Sequence, residues 1–241
     1  MNGEQKTLNT AGASAIVALL LFSSATIARA QVTNLAPGQS INLATVINSN
    51  LTLQIADKQF GNFWFNYSDN IGYAQGILYS SNVTITALSN IIGFGISLTE
   101  PYSLLGVGTR DFVLHYTALV TAPNYYIDDI DLAVTGTDGN FGEGSLAENV
   151  FIGGFGATSV GKIQAFTSTN WGPISAQANI VPPQTELWVE KDVILQGSQN
   201  YSSASISEID QTYSEIPEPS TVFLVGVGVL GAVAVIRRRK S

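Results

Sequence analysis

The sequence predicts an all-β protein, an antiparallel β-sandwich that is jelly-roll-like, with a single C-terminal transmembrane helix. Two observations favour the sandwich: apolar and polar residues alternate along many short segments, and turn-forming residues separate these segments. Charged residues make up only 12% of the chain, about half the roughly 25% of typical soluble domains. No helical pattern of comparable length competes in the middle of the chain.

The alternation predicts strands in which every second side chain faces the core. It is clearest in residues 51–55, 63–67, 83–86, 111–121 and 129–134. Further predicted strands are residues 162–167, 186–189, 193–195 and 204–209. The segments are separated by turn signals, namely Asp69-Asn70, Ser81-Asn82, Pro123-Asn124, Asp138-Gly139, Gly153-Gly154 and Pro182-Pro183.

Two segments interrupt this pattern. Residues 136–161 contain eight glycines, which predicts a mobile loop or a bulged hairpin. Residues 198–216 are polar, and we expect them to end the folded region and then form a spacer. The chain is thus divided into a signal peptide (1–30), a sandwich domain (31–197), this end segment (198–216) and a C-terminal tail (217–241). We call residues 31–216 the passenger.

The N-terminus has the layout of a secretory signal peptide. A polar stretch containing Lys6 precedes an apolar block from Ala11 to Phe22, and Ala28-Arg29-Ala30 follows. Small side chains at Ala28 and Ala30 fit the shallow pockets of a signal peptidase, so cleavage is expected after Ala30. The alternative is a retained membrane anchor, but the apolar block is shorter than the roughly 20 residues of a membrane span.

The C-terminus combines a proline-rich motif, a short apolar run and a basic cluster. The motif consists of Pro217, Glu218, Pro219 and Ser220. An apolar run from Val222 to Ile236 leads to four basic residues, Arg237, Arg238, Arg239 and Lys240. Fifteen helical residues span roughly 22 Å, less than a hydrocarbon core of about 30 Å. The basic cluster favours a cytoplasmic end, although a plain anchor and a buried core helix are alternatives.

This tail resembles the PEP-CTERM sorting signal of Gram-negative bacteria, which the membrane peptidase exosortase recognises. The tripeptide Pro217-Glu218-Pro219, the apolar run and the basic cluster match that signal in order and spacing. The resemblance implies transit through the inner membrane, cleavage near Pro217–Pro219, and delivery to the cell surface or exopolysaccharide matrix. Residues 57–63 and 205–213 also resemble a recurring passenger type found with this tail, for which no activity is implied.

The charge and cysteine content of the passenger exclude several functions. The passenger has four basic and sixteen acidic residues, which gives it a formal charge of −12. Such a surface repels phosphate backbones, so no nucleic acid is expected as a partner. The chain has no cysteine, which excludes disulfides, thiolate nucleophiles and thiolate metal sites. We expect no cofactor.

The sequence offers only weak candidates for catalytic and metal-binding groups. The single histidine, His115, lies in mid-strand without a Gly-x-Ser-x-Gly motif that would complete a triad. Two sets of residues could bind calcium. The first is Asp128, Asp129 and Asp131, and the second is Asp138, Asn140 and Glu143. Neither set has the spacing of an EF-hand. Glycosidases use paired carboxylates, for which Glu186 and Glu190 are the candidates. We therefore expect no catalytic residue and no metal site.

Aromatic residues offer a different possibility. Trp64, Trp171 and Trp188 could form a platform on which sugar rings stack, whereas core packing is the usual role of aromatics in a sandwich. Four glycosylation sequons, at Asn50, Asn66, Asn82 and Asn200, require a eukaryotic type of glycosylation to matter. In a bacterium they are a product of composition.

The sequence thus favours an exported, exosortase-sorted protein of the cell surface or exopolysaccharide matrix, with a non-enzymatic structural or adhesive role. The alternative is a carbohydrate- or calcium-binding surface module, and a polysaccharide-active enzyme is a further one. Exosortase and the inner membrane are the partners expected during sorting. Exopolysaccharide is the partner expected outside the cell.

Overall fold

Two facing β-sheets make up the described part of the chain. The computed structural model describes residues 30–71, 79–89, 93–166 and 174–218. Within these residues the strands are β1 (Gln31–Asn34), β2 (Ser40–Asn42), β3 (Leu51–Ile55), β4 (Lys58–Ile71), β5 (Thr84–Ser89), β6 (Phe94–Leu105), β7 (Gly108–Val120), β8 (Tyr125–Gly139), β9 (Gly142–Ile152), β10 (Thr158–Phe166), β11 (Ile174–Gln184), β12 (Glu186–Gly197) and β13 (Ser203–Pro217). A short helix, α1 (Leu43–Asn48), precedes β3, and a 3₁₀ turn covers Ser80–Asn82.

The strand order shows a sandwich. The first sheet has the order β1-β3-β4-β7-β12-β9-β10, and the second has the order β11-β8-β13-β6-β5-β2. Among the described strands, only β1 and β3 pair in parallel. From β6 to β13 the chain changes sheet at every step except between β9 and β10. Such crossing between two antiparallel sheets is typical of jelly rolls. The predicted all-β sandwich is confirmed.

Inward-facing residues of both sheets build one core. The alternation predicted for β7 is observed, since Phe112, Leu114, Tyr116 and Ala118 are all at most 2% exposed. The β3 residues Leu51, Leu53 and Ile55 and the β8 residues Ile130, Leu132 and Val134 are also buried. Each fully buried side chain of this size stabilises the fold by about 1.5–3 kcal/mol.

Residues 136–161 form a bulged hairpin, not a mobile loop. β9 and β10 pair with a register shift between Ser159 and Gly161. β9 also pairs with β12, so most of this glycine-rich segment belongs to the first sheet. The connection between β9 and β10 is the short stretch 153–157.

The predicted strands 186–189 and 193–195 are parts of one strand, β12. The polar residues between them hid this continuity, because Lys191 faces inward. Its ammonium group, which is 0% exposed, donates hydrogen bonds to Glu148 of β9 and Gln211 of β13. Burial raises the pKa of Glu148 and lowers that of Lys191, while the attraction between the two charges opposes both changes.

The structure corrects the expectation that residues 198–216 end the folded region and form a spacer. Residues 203–217 form β13, which lies between β8 and β6 inside the second sheet. A bulge between Ile206 and Glu208 shifts the alternation by one residue, so that Ile209 and Tyr213 are buried. The sequence of this strand looks polar because the bulge exchanges its inward and outward positions, and because Gln211 is one of the buried residues. The folded region therefore continues to Pro217 and includes the part of residues 198–216 in which the spacer was expected.

The described ranges contain no helix with the length and hydropathy of a membrane span. The apolar run from Val222 to Ile236 lies outside these ranges, as do residues 1–29. The C-terminal transmembrane helix and the signal peptide therefore stay predictions.

Candidate functional site

Four side chains from adjacent strands form one row on the outer face of the first sheet. Trp64 of β4 is paired with His115 of β7, which is paired with Glu190 of β12. Glu190 is in turn paired with Asn149 of β9. Their strand neighbours Leu114, Tyr116, Val189 and Lys191 are buried in the core, so the alternation of each strand directs the row toward solvent. We call it the polar row.

Hydrogen bonds fix the centre of the polar row. One carboxylate oxygen of Glu190 lies 3.0 Å from Nε2 of His115. The other accepts a hydrogen bond of 3.1 Å from the side-chain amide of Asn149. The side chains of His115 and Glu190 are 19% and 28% exposed. Because both carboxylate oxygens are held, Glu190 presents a fixed acceptor to any molecule on this face.

Aromatic rings cover one end of the polar row. The ring centroids of Trp64 and His115 are 4.9 Å apart, and Phe155 stacks on His115 at 4.3 Å with an interplanar angle of 21°. Phe155 also meets Trp188 edge to face at 4.9 Å. We call these four rings the aromatic ledge. Trp64 is 49% exposed, so the ledge presents a flat apolar surface to solvent.

The β9–β10 turn places Phe155 on the ledge. Gly153, Gly154 and Gly156 have φ values of 78°, 138° and 72°, in the region that non-glycine residues rarely adopt. An added Cβ at these positions would meet no atom within 4 Å. Glycine is therefore required here by backbone conformation and not by space. Alternation in the sequence does not single out Phe155, although a lone aromatic residue among three glycines is a signal for it.

Two further carboxyl groups lie on the same outer face. Asp192 follows Glu190 by two residues on β12, and Asp111 lies on the adjacent β7, where its backbone partner is Ile194. Burial raises the pKa of Asp192 to about 6, with further contributions from the charge and hydrogen bond of Asp111 and from the charge of Glu190. Asp192 therefore exchanges its proton near neutral pH, and the face carries more negative charge above that pH.

The basic residues of the passenger do not balance this charge, because three of the four are buried. Lys58, Arg110 and Lys191 are 2%, 5% and 0% exposed. Lys58 pairs with Glu215, and Arg110 donates to the carbonyl of Ser103 at 2.6 Å. Only Lys162, on β10 beside Asn149, is exposed. The outer surface of the passenger is consequently anionic.

The acidic sets considered for calcium lie on and just after β8. Asp129 and Asp131 lie on the outer face of the second sheet, where Asp129 accepts a hydrogen bond from Gln177. Asp138 is the penultimate residue of β8, and Asn140 lies in the following turn with a φ of 46°. Within the described ranges, no group of three histidine or acidic residues is arranged to hold a metal ion.

The remaining candidates have different surroundings. Glu186 is exposed at the start of β12, whereas Glu190 belongs to the polar row. Trp64 and Trp188 share the aromatic ledge, and Trp171 lies outside the described residues. The sequon residues Asn50, Asn66, Asn82 and Asn200 are all exposed. Two of the three predicted platform tryptophans therefore lie on one face.

The sorting and cleavage residues are only partly described. Pro217 ends β13 and Glu218 follows it, whereas Pro219, Ser220 and the cluster Arg237, Arg238, Arg239 and Lys240 lie outside the described residues. At the other end, Ala30 is exposed and immediately precedes β1, and Ala28 is not described. The assigned cleavage and stop-transfer roles of these residues remain predictions.

Comparison with protein families confirms the sorting tail. The PEP-CTERM protein-sorting motif matches residues 215–240. The chain therefore carries a PEP-CTERM motif, which supports export and sorting by exosortase. The match covers the tail and the last residues of β13, and not the rest of the passenger. A comparison with curated proteins found no match.

Several solved structures resemble the passenger weakly. TmCBM61, solved with β-1,4-galactotriose, has 10% identity and a TM-score of 0.31, with 64% of this chain and 88% of that chain covered. Tailspike protein 4 of bacteriophage CBA120 has 9% identity and a TM-score of 0.32, with coverages of 63% and 19%. The family 11 carbohydrate-binding module of Clostridium thermocellum has 11% identity and a TM-score of 0.25, with coverages of 62% and 88%. Similarity this low does not extend to function.

Proposed function

We propose that this chain is an exported surface protein whose passenger binds polysaccharide without catalysing a reaction. The observation that carries the proposal is that the aromatic ledge and the polar row share one exposed face of the first sheet. Exosortase sorting supplies the route to the envelope. The final location is the cell surface or the exopolysaccharide matrix, where binding would give the protein an adhesive role.

The chemistry of this face suits a sugar chain. The C–H faces of a pyranose ring are apolar and pack against flat aromatic rings, which Trp64 and Phe155 offer. Ring hydroxyls need donors and acceptors beside that surface, and the Glu190 carboxylate and Asn149 amide lie within the same row. Because hydrogen bonds already hold Glu190, little conformational entropy is lost when it meets a ligand.

The same contacts favour binding over catalysis. In catalysis by a histidine-activated nucleophile, the nucleophilic hydroxyl lies within hydrogen-bond reach of the imidazole. The described contacts of His115 are Glu190, Trp64 and Phe155, none of which is a nucleophile of that kind. Glu190 is engaged on both oxygens and so is a poor general base for water. We therefore assign it a ligand-binding role.

The proposal is tested with the purified passenger on an array of bacterial polysaccharides and oligosaccharides. Trp64→Ala removes an exposed ring from the ledge and should weaken binding at least about tenfold, as loss of a central aromatic anchor does. Tyr201→Ala is the matched control, because Tyr201 is 61% exposed but packs against Phe141 away from the ledge. Its binding should equal that of the unchanged protein.

Three results would contradict the proposal. Equal weakening by Trp64→Ala and Tyr201→Ala would show that the ledge is not the binding surface. Absence of binding to every glycan tested would leave a purely structural role. Release of reducing ends from a bound polysaccharide would instead indicate an enzyme.

A further inference from the structure

The sorting motif begins inside the folded passenger. Its match starts at residue 215, whereas β13 continues to Pro217. The last three residues of the strand are paired with β8, with Glu215 opposite Ile127 and Pro217 opposite Tyr125. The first residues of the motif are therefore part of the second sheet.

Glu218, the central residue of the tripeptide, is also held by the passenger. Its backbone N–H donates a hydrogen bond of 2.7 Å to the carbonyl of Asn124 in the β7–β8 turn. Its side chain accepts a hydrogen bond of 2.8 Å from the hydroxyl of Tyr126, and this bond raises the pKa of Tyr126. We call the pair of hydrogen bonds the Glu218 clasp.

An ion pair anchors the strand just before the clasp. The ammonium of Lys58, on β4 of the opposite sheet, lies 2.6 Å from the Glu215 carboxylate. The same ammonium lies 5.6 Å from the centre of the Phe94 ring. Because Lys58 is 2% exposed, this contact is shielded from solvent and links β13 to the first sheet.

Within the residues that the structure describes, the end of β13 after Tyr213 has ladder pairs with one neighbouring strand only. The ladder between β13 and β6 ends at Tyr213, whereas the ladder with β8 continues to Pro217. Strand ends with a single neighbour open more readily than strands in the middle of a sheet. Local opening can therefore release Pro217 and Glu218 while the rest of the sandwich stays folded.

We propose that the passenger holds the start of its own sorting motif, and that exosortase processes only molecules in which Glu218 has left Tyr126. A peptidase must surround the backbone of its substrate, and pairing with β8 and Asn124 occupies that backbone. When opening and closing are fast, the rate of cleavage follows the population of the open form. Tyr126 is thus a residue that sets the processing rate without contacting the peptidase.

The test uses the full chain in a host that contains exosortase, with conversion of precursor to mature protein followed by pulse-chase and intact mass. Tyr126→Phe keeps the ring but removes the hydroxyl donor, so processing should become roughly twofold to tenfold faster, the effect of one hydrogen bond. Tyr125→Phe is the matched control. Tyr125 is 41% exposed, and its hydroxyl has no hydrogen bond within the described residues, so its rate should be unchanged.

Hydrogen exchange supplies a second measurement on the purified precursor. The amide of Glu218 should exchange faster in Tyr126→Phe than in the unchanged protein, whereas amides of β12 should keep their protection. The inference is independent of polysaccharide binding and depends only on exosortase sorting. Equal or slower processing of Tyr126→Phe, or failure of the unchanged chain to be processed by exosortase, would overturn it.

Discussion

At the scale of single residues, the least expected feature is a buried ion pair in the sandwich core. Glu148 and Lys191 are both 0% exposed, and transfer of two such charges from water costs several kcal/mol each. Gln211 shares the ammonium of Lys191 and donates to the carbonyl of Asp131 at 3.0 Å. The polar network thus joins four strands, β8, β9, β12 and β13, and ties the two sheets together.

Breaking this pair from one side should be costly. Lys191→Met leaves Glu148 buried without a cation, and we expect a loss of about 3–5 kcal/mol in the free energy of unfolding. Denaturant titration of the purified passenger measures this loss. The matched control is Lys162→Met, which changes an exposed lysine and should alter stability by less than about 0.5 kcal/mol.

A double variant separates the ion pair from simple packing. Adding Glu148→Leu to Lys191→Met removes the unpaired carboxylate, so most of the lost stability should return. If the double variant were as unstable as Lys191→Met alone, the cost would come from packing and not from an uncompensated charge. Equal stability of Lys191→Met and Lys162→Met would show that the ammonium is not buried.

The sequence reveals some of these residues and hides others. Trp64 could be assigned to the outer face because Phe63 and Phe65 on either side are apolar, and the structure confirms this orientation. Lys191 could not be assigned to the core, because its burial depends on Glu148, which is 43 residues away. Local alternation gives the face of a residue, but a partner from a distant strand decides whether a charge can be buried there.

At the scale of elements, the β9–β10 turn links backbone conformation to the candidate site. Three glycines with positive φ hold Phe155 between His115 and Trp188. The sequence predicts a bulged hairpin as one of two possibilities for this segment, and the hairpin is observed. It does not predict where Phe155 points, because that direction depends on the neighbouring strands β7 and β12.

A substitution in this turn should impair the site more than the fold. Gly156→Ala places an L-residue at a φ of 72°, which costs about 1–2 kcal/mol or shifts the turn. A shift would draw Phe155 away from His115 and weaken polysaccharide binding several-fold. Binding isotherms on the glycan that binds best in the array measure the loss of binding. Near-UV circular dichroism, which is sensitive to the Phe155–Trp188 contact, measures the shift of the turn.

Gly38→Ala is the matched control for this change. Gly38 has a φ of 82° and also has no atom within 4 Å of an added Cβ, but it lies in the β1–β2 turn. Its substitution should cost similar stability and leave binding unchanged. Equal loss of binding in both variants would mean that global destabilisation, and not the position of Phe155, controls the site.

The end of β13 shows a limit of prediction from local pattern. A single bulge at Ile206–Glu208 reverses which residues face inward, so a continuous strand resembles a strand followed by a polar spacer. The sequence also indicates a tail that is sorted, and the family match confirms that motif. It gives no sign that the motif starts within a paired strand, because the contact between Glu218 and Tyr126 spans 92 residues.

At the scale of the whole molecule, the distribution of charge should select the ligand. The passenger carries sixteen acidic residues, and Lys162 is the exposed one among its four basic residues. Asp111, Glu190 and Asp192 lie on the face that bears the aromatic ledge, and Lys162, beside Asn149, is the one exposed basic side chain of the passenger on that face. Acidic polysaccharides would therefore be repelled both at long range and at the site, whereas neutral chains would not.

We expect the passenger to bind neutral polysaccharides at pH 7 and not to bind alginate, a uronate polymer. Binding of the neutral chain should be nearly independent of salt, because no ion pair is formed. Affinity electrophoresis at about 20 mM and 500 mM NaCl, which changes the screening length from roughly 20 Å to 4 Å, compares the two polymers directly.

The double variant Asp111→Asn and Asp192→Asn tests whether the site itself supplies the discrimination. It removes two negative charges beside the ledge while keeping side chains of similar size, so alginate binding should appear or strengthen while neutral binding persists. Glu186→Asn removes one exposed charge at the start of β12 and should leave the preference unchanged. Tight alginate binding by the unchanged passenger at low salt would contradict the argument, because like charges that close cannot be screened at that ionic strength.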